Sequence, residues 1–138
     1  MAKMVATILG AAFVLVGLLG FIAPGMLGMH LSTAHNLIHI VSGAIALYFG
    51  LAGTLAAARM FNIIFGVVYL LLGLVGFLAG TQATPSMPDM TPNAHLLKIL
   101  PGTLEFGTMD HVVHILLGLV FILGGVLTRG DVRRAVEE

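Results

Sequence analysis

Two stretches of the sequence, AHNLIHIVSG at residues 34–43 and MDHVVHILLG at residues 109–118, place a histidine four residues before a glycine at the start of a long apolar run. Runs of about 20 apolar residues can cross about 30 Å of hydrocarbon as helices that rise about 1.5 Å per residue. Histidine is costly to place in hydrocarbon, so its recurrence predicts either a polar contact between helices or a ligand site.

Composition places the chain in a lipid bilayer. Hydrophobic residues make up 59% of the sequence and charged residues 9%, which is too little polar surface to cover a soluble globule of this size. Cysteine is absent, which excludes disulfides, thiolate metal sites and thiol nucleophiles. The formal net charge is zero, and the scattered cations argue against nucleic acid as a partner.

The predicted fold is all-α, a four-helix transmembrane bundle that forms one domain over residues 1–138. The predicted spans are residues 4–22, 37–58, 61–79 and 112–127, the last extended at its start by residues 108–111. Lys3 precedes the first apolar run as in a secretory signal, but the run is long for a signal and we expect it to be retained. Between Pro92 and Pro101 we expect a short amphipathic helix at the membrane interface.

The distribution of cations predicts the orientation. One side of the membrane would carry Lys3, Arg59, Arg129, Arg133 and Arg134, and the other only Lys98. Because cationic loops stay in the cytoplasm, we expect both termini to be cytoplasmic. Both histidine segments then begin at the outer face.

The chain reads as two helical hairpins in tandem. Gly10, Gly17, Gly20 and Phe21 recur as Gly66, Gly73, Gly76 and Phe77 at a constant offset of 56 residues, and His39, Gly43 and Gly50 recur as His114, Gly118 and Gly125 at an offset of 75. Repeat one spans residues 4–58 and repeat two residues 60–128, with an outer-loop insertion at about 80–107. Parallel repeats of this kind are related by a pseudo-two-fold axis along the membrane normal.

Helical phase predicts that both histidines face the bundle interior. At about 100° per residue, Gly43 lies about 40° and Gly50 about 20° from His39, and His114 has the same relation to its glycines. Small residues line the contact faces of membrane helices because they let the backbones approach.

Two interpretations of these histidines stay open. Each could donate a ring hydrogen to a carbonyl or hydroxyl of a neighbouring helix and serve packing only. Alternatively, His39 and His114 could bind a transition metal ion or the two axial positions of a haem, with His35 and His111 above them as further metal ligands.

Asp110 also has two interpretations. It could orient an imidazole at a metal site and so belong to that site, or it could cap the start of the fourth helix. Methionines on the same side would suit copper(I), namely Met26, Met29, Met87, Met90 and Met109.

Other familiar chemistry is missing from the sequence. It has no phosphate-binding glycine loop and no HExxH pattern, and the apolar cores of the spans carry no carboxylate, lysine or arginine for a proton or ion pathway. The sequence therefore predicts a non-catalytic accessory or assembly component, which contacts other membrane proteins or itself as an oligomer. The alternative is a haem- or metal-binding redox protein that uses His39 and His114.

Three segments together resemble a family of small bacterial four-helix membrane proteins classified only as a domain of unknown function. They are HNLIHIVSG at 35–43, GVVYLLLG at 66–73 and DHVVHILLG at 110–118. The resemblance implies four spans and a bacterial plasma membrane, and it implies no activity.

Overall fold

A computed structural model describes residues 1–128. The remaining residues, 129–138, include the predicted inner cations Arg129, Arg133 and Arg134, which therefore lie outside the described part of the chain. The helices are α1 (Ala2–Gly20), α2 (Thr33–Leu51), α3 (Leu55–Ala79) and α4 (Thr108–Val126), and a 3₁₀ turn covers Met26–Gly28. All four helices are long and apolar enough to span a membrane.

The start of α2 lies four residues before its predicted position. Ser32 caps the helix, because its hydroxyl accepts a hydrogen bond from the His35 N–H at 3.2 Å. His35 is therefore in the first turn of the helix rather than in a loop. His39 is the seventh residue of α2 and His114 the seventh of α4, so both lie about 9 Å from the start of their helices.

Glycines let the helices of each hairpin approach closely, α1 against α2 and α3 against α4. A Cβ atom added at Gly43 would lie 2.7 Å from the Gly10 carbonyl oxygen, and one added at Gly118 would lie 2.7 Å from the Gly66 carbonyl oxygen. No real side chain tolerates such distances, so backbone packs directly on backbone at these points.

Aromatic rings fill the centre of the bundle. Phe13 lies 5.2 Å from Tyr69 and 6.1 Å from Phe121, measured between ring centroids. Large apolar side chains cover the outside, among them Ile22 and Leu78, which are 82% and 87% exposed. This inverted exposure is what a lipid-facing surface requires.

The third connection forms a small antiparallel sheet instead of the short helix that we predicted between Pro92 and Pro101. Its strands, in spatial order, are β1 (Thr81–Ala83), β2 (Asn93–Leu100) and β3 (Leu104–Phe106). Pro101 and Gly102, which has φ 77°, form a tight turn that folds β3 back onto β2. Eight residues make only about two turns of helix, whereas as β2 the same residues hydrogen-bond to strands on both sides.

Glu105 of β3 forms hydrogen bonds that link the loop before β2 to the hairpin of β2 and β3. Its carboxylate accepts hydrogen bonds from the Ser86 N–H at 2.8 Å, the Ser86 hydroxyl at 2.7 Å and the Gly102 N–H at 2.9 Å. The Lys98 ammonium lies 3.4 Å from the same carboxylate. Other contacts hold the sheet against the starts of α2 and α4. The Ser32 hydroxyl donates to the Thr103 carbonyl at 2.7 Å, and the Thr108 hydroxyl donates to Asn93 Oδ1 at 2.8 Å.

Candidate metal centre

Three histidines from two helices converge near the ends of α2 and α4 that adjoin the sheet. His35 and His39 are four residues apart on α2 and share a face, and His114 comes from α4. One ring nitrogen of each lies within 4.8 Å of the other two. The three side chains are buried, with exposed fractions of 2%, 4% and 3%. We call these three residues the histidine cluster.

Several ring nitrogens of the histidine cluster have no hydrogen-bond partner among the described residues. They are His35 Nε2, His39 Nδ1, His39 Nε2 and His114 Nδ1, all of them buried. A buried polar atom without a partner costs about 1–3 kcal/mol. Their concentration in one small volume makes the histidine cluster a candidate metal site.

The backbone carbonyl of His30 determines which ring nitrogen of His35 carries the hydrogen. Its Nδ1 lies 2.8 Å from the His30 backbone oxygen. A carbonyl only accepts hydrogen bonds, so Nδ1 carries the hydrogen in the neutral ring. Nε2 then has a free lone pair, which is the form that binds a metal ion.

Asp110 holds His30 in place from the first turn of α4. Its carboxylate accepts hydrogen bonds from the His30 N–H at 3.1 Å and from the Gly107 N–H at 2.8 Å, and its Oδ2 lies 3.0 Å from His30 Nδ1. The contact with Gly107 caps α4, as one interpretation of this residue proposed. The contact with His30 orients the loop whose carbonyl accepts the hydrogen bond from His35. Asp110 therefore supports the histidine cluster indirectly, through His30.

Aromatic rings surround the histidine cluster. Phe106 lies 4.8 Å from His35 and 5.1 Å from His114, Tyr69 lies 5.2 Å from His114, and Phe13 lies 5.2 Å from His39, all between ring centroids. These rings shield the cluster from water, which strengthens any electrostatic interaction inside it.

A haem does not fit between His39 and His114 in this arrangement. The cavity that His39 lines has a volume of about 170 Å³ and does not include His114 in its wall, so it does not provide space between the two imidazoles. The rings of Phe106 and Tyr69 pack directly on His114, where a porphyrin would have to lie.

His111 lies apart from the histidine cluster. Its Nε2 donates to the His95 backbone oxygen at 2.7 Å, and its ring packs against Phe77 at 5.4 Å. The structure therefore brings together three of the five predicted metal-site residues, uses Asp110 as a support and directs His111 toward α3 and the sheet. Of the methionines considered for copper, Met29 lines the same cavity as His39.

Sequence reasoning missed His30 and Phe106. Neither belongs to a helix or to a repeated segment, and each reaches the site through a loop or a strand whose path depends on tertiary contacts. The only local signal was Ser32, whose role as a helix cap would have placed His30 just before α2.

The model of the family described as a domain of unknown function, DUF4383, matches residues 3–127. The chain belongs to this family. No curated protein and no solved structure matches it. Membership in DUF4383 accords with the resemblance seen in the sequence and assigns no activity.

Proposed function

We propose that this member of DUF4383 is a multi-pass membrane protein that binds a transition metal ion between His35, His39 and His114. The observation that carries the proposal is the convergence of three buried imidazoles, each of which has at least one ring nitrogen without a hydrogen-bond partner among the described residues.

The donor set indicates the class of metal. Three neutral imidazoles suit zinc, copper, iron or nickel rather than calcium or magnesium. Three protein ligands leave a fourth position open, as in catalytic zinc sites. Nitrogens bound tetrahedrally at about 2.0–2.1 Å lie about 3.4 Å apart, so nitrogens that now lie within 4.8 Å of one another would approach by no more than about 1.4 Å when an ion binds.

The packing interpretation accounts for only part of the geometry. His35 and His111 each donate to a backbone carbonyl, as that interpretation expects. His39 has two buried nitrogens and no partner for either among the described residues. Without a hydrogen-bond partner, His39 would stabilise the packing less than an apolar residue at the same position. Its presence there favours a ligand role.

Metal analysis of single variants tests the proposal. Wild type, His35→Phe, His39→Phe and His114→Phe would be purified without chelators, incubated with zinc, copper, iron or nickel and desalted before elemental analysis. We expect about one ion per wild-type chain and loss of that ion from each variant, because three ligands are needed to hold it. His95→Phe is the matched control, since its side chain lies outside the histidine cluster, and it should keep the ion.

The packing interpretation predicts a different result. Wild type would stay free of metal after every treatment, and replacement of His39 would lower the free energy of unfolding by about 1 kcal/mol, the usual value of a hydrogen bond between membrane helices. That result would overturn the metal proposal.

We further propose that the chain consists of two tandem hairpins. Contacts at corresponding positions support this arrangement. A Cβ at Gly17 would meet Ile40 and one at Gly73 would meet Ile115, pairs that follow the offsets of 56 and 75 residues.

The orientation and the cellular role are also proposals. Lys3 and Arg59 favour cytoplasmic termini in a bacterial inner membrane, with the histidine cluster in the outer leaflet. An accessory or assembly role is compatible with a bound ion, and the exposed apolar helix faces would supply contacts with other membrane proteins or with a second copy.

A further inference from the structure

The side chains of the histidine cluster are buried, so a hydrated ion can reach them only if part of the protein moves. Toward the centre of the bundle, the rings of Phe13 and Tyr69 pack on the cluster. Toward the lipid, His39 adjoins a cavity whose wall is otherwise apolar, with residues such as Val16 and Leu117. An ion that loses its hydration in apolar surroundings costs several kcal/mol or more, so neither direction offers an entry route.

Phe106 covers the cluster on the remaining side, which adjoins the sheet. Its ring lies 4.8 Å from that of His35 and 5.1 Å from that of His114, between centroids, and the residue is buried. Phe106 belongs to β3, so it moves with the hairpin of β2 and β3. Displacement of this hairpin would expose the cluster to water.

The β2–β3 hairpin is attached unevenly to the helices. At its base, the chain continues through Gly107 into α4, and the His95 carbonyl accepts a hydrogen bond from His111 at 2.7 Å. At its tip, the Ser32 hydroxyl donates to the Thr103 carbonyl, and this is the one hydrogen bond among the described residues that joins residues 93–106 to residues 1–53. Such a bond contributes only about 0.5–1.5 kcal/mol, so the tip is the part that separates from α2 most readily.

A polar cleft leads from the surface to this contact. It has a volume of about 430 Å³ and lies between the start of α2 and the hairpin tip, and its wall includes the hydroxyl-bearing residues Ser32, Thr33, Ser86 and Thr103. A narrow extension with several of the same wall residues reaches Glu105, the neighbour of Phe106 in β3. Oxygen atoms along a path can replace part of the hydration of a passing cation.

We infer that the β2–β3 hairpin is a gate, and that the metal ion enters from this cleft when the hairpin tip separates from Ser32 and Phe106 leaves the histidines. The inference rests on the proposed function, because the histidine cluster identifies what passes as a metal ion. Closure behind the ion would restore the packing of Phe106 on His35 and His114 and exclude water from the site, as enzyme lids do.

A bridge across the cleft tests the gate. Thr33 of α2 and Thr103 of the hairpin tip are exposed in the cleft wall, and the chain has no native cysteine. In the double variant Thr33→Cys, Thr103→Cys, a short bifunctional methanethiosulfonate would join the two thiols, and a phosphine reductant would release them. We expect the bridged protein, free of metal and in detergent, to take up zinc about tenfold more slowly or slower still, because the gate cannot open. Release should restore the rate.

The matched control is the same double variant treated with a monofunctional methanethiosulfonate, which modifies both cysteines without joining them. Zinc loss provides the reverse measurement. Protein loaded with zinc before it is bridged should also lose the ion to a chelator about tenfold more slowly than the control, because a gate slows both directions. A site distorted by the bridge would lose zinc faster. Faster loss, or equal rates of bridged and control protein in both directions, overturns the inference.

Modification of histidine gives a second measurement that needs no metal. Diethyl pyrocarbonate reacts with accessible imidazole nitrogens, and mass spectrometry of peptides would locate the products in metal-free protein. The bridge should protect His39 and His114 and leave the partly exposed His95 as reactive as in the control. Protection in protein that takes up no zinc, copper, iron or nickel supports the gate but rejects the metal proposal and the passage of an ion. Normal zinc uptake with no effect of the bridge on either measurement rejects the gate and leaves the metal proposal standing.

Discussion

At the scale of residues, hydrogen bonds connect Asp110, His30 and His35 in that order, and the second ring nitrogen of His35 keeps a free lone pair. Asp110 accepts hydrogen bonds from His30, the His30 carbonyl accepts one from His35 Nδ1, and His35 Nε2 has no partner among the described residues. Partners of this kind fix the orientation of metal-binding imidazoles, and their loss typically costs 10–100-fold in metal affinity.

Replacement of Asp110 by asparagine tests this support. The Asp110 carboxylate accepts hydrogen bonds from N–H groups. In Asp110→Asn the amide NH₂ would face one of these donors, and two donors cannot form a hydrogen bond with each other. The substitution should therefore lower the free energy of unfolding by about 2 kcal/mol. If an ion binds, its affinity should also fall about tenfold. Unfolding in detergent and metal titration provide the two measurements.

The control is Asp89→Asn, the same change at an exposed loop position. It should alter the free energy of unfolding by no more than about 0.5 kcal/mol. Equal effects of the two substitutions would remove Asp110 from its supporting role.

At the scale of elements, glycine determines how closely the helices of each hairpin approach. A Cβ at Gly43 would lie 2.8 Å from the Val14 nitrogen, and a Cβ at Gly118 would lie 2.5 Å from the Leu70 nitrogen. Backbone atoms cannot rotate away as a flexible side chain can, so an added methyl group must separate the helices.

Gly43→Ala and Gly118→Ala should therefore each lower the free energy of unfolding by about 1–3 kcal/mol, the usual cost of overpacking. Because the two glycines are equivalent in the proposed repeat, we expect similar losses. Gly25→Ala is the control, since its nearest atom is Met90 Cε at 3.4 Å, and its effect should be within about 0.5 kcal/mol. Loss at only one of the two helix positions would contradict the equivalence.

The sheet has its own electrostatic support. Burial raises the pKa of the Glu105 carboxyl, but hydrogen bonds from Gly102, Ser86 and Lys98 outweigh burial and lower that pKa to about 2. A carboxyl whose pKa falls on folding stabilises the folded state above its unfolded pKa of about 4.5. The contribution is lost as the pH falls toward 2.

The difference in free energy of unfolding between wild type and Glu105→Gln should accordingly be largest at pH 6 and shrink as the pH falls below about 4.5. The full pKa shift corresponds to at most about 3 kcal/mol. Chemical unfolding in a nonionic detergent at several pH values measures this difference. A difference that stays constant from pH 6 to pH 3 would contradict the assignment.

At the scale of the whole molecule, hydrogen bonds join α1 to the second hairpin at the end opposite the sheet. Asn62 Nδ2 donates to the Ala2 carbonyl at 3.0 Å, and the Ala2 N–H donates to the Thr128 hydroxyl at 2.9 Å. Lys3 and Arg59 belong to this end, and Lys98 belongs to the sheet at the other. Under the positive-inside rule, the orientation that we propose puts the sheet and the histidine cluster on the outer side.

The absence of native cysteine allows a direct test of this orientation. In intact bacterial cells, a membrane-impermeant maleimide should label Asp89→Cys in the outer loop and should fail to label Ala52→Cys between α2 and α3. After permeabilisation both should react, which serves as the control for expression and accessibility. Labelling of Ala52→Cys in intact cells would invert the orientation and move the histidine cluster to the inner leaflet.

Residue spacing was enough to predict four apolar helices and the faces they pack with. Helical periodicity and apolar length are local properties, so the number of helices, the inward glycines and the equal depth of His39 and His114 follow from the sequence. The bounds are less well predicted, because the turn between α2 and α3 covers residues 52–54 and we expected it at 59–60. Which polar groups meet depends on the tertiary structure. His30 and Phe106 reach the site from a loop and a strand, His111 turns to the His95 carbonyl, and Asn93–Leu100 pairs as β2 because Pro101 and Gly102 fold β3 back onto it. These outcomes depend on contacts between segments far apart in the chain, which no local pattern encodes.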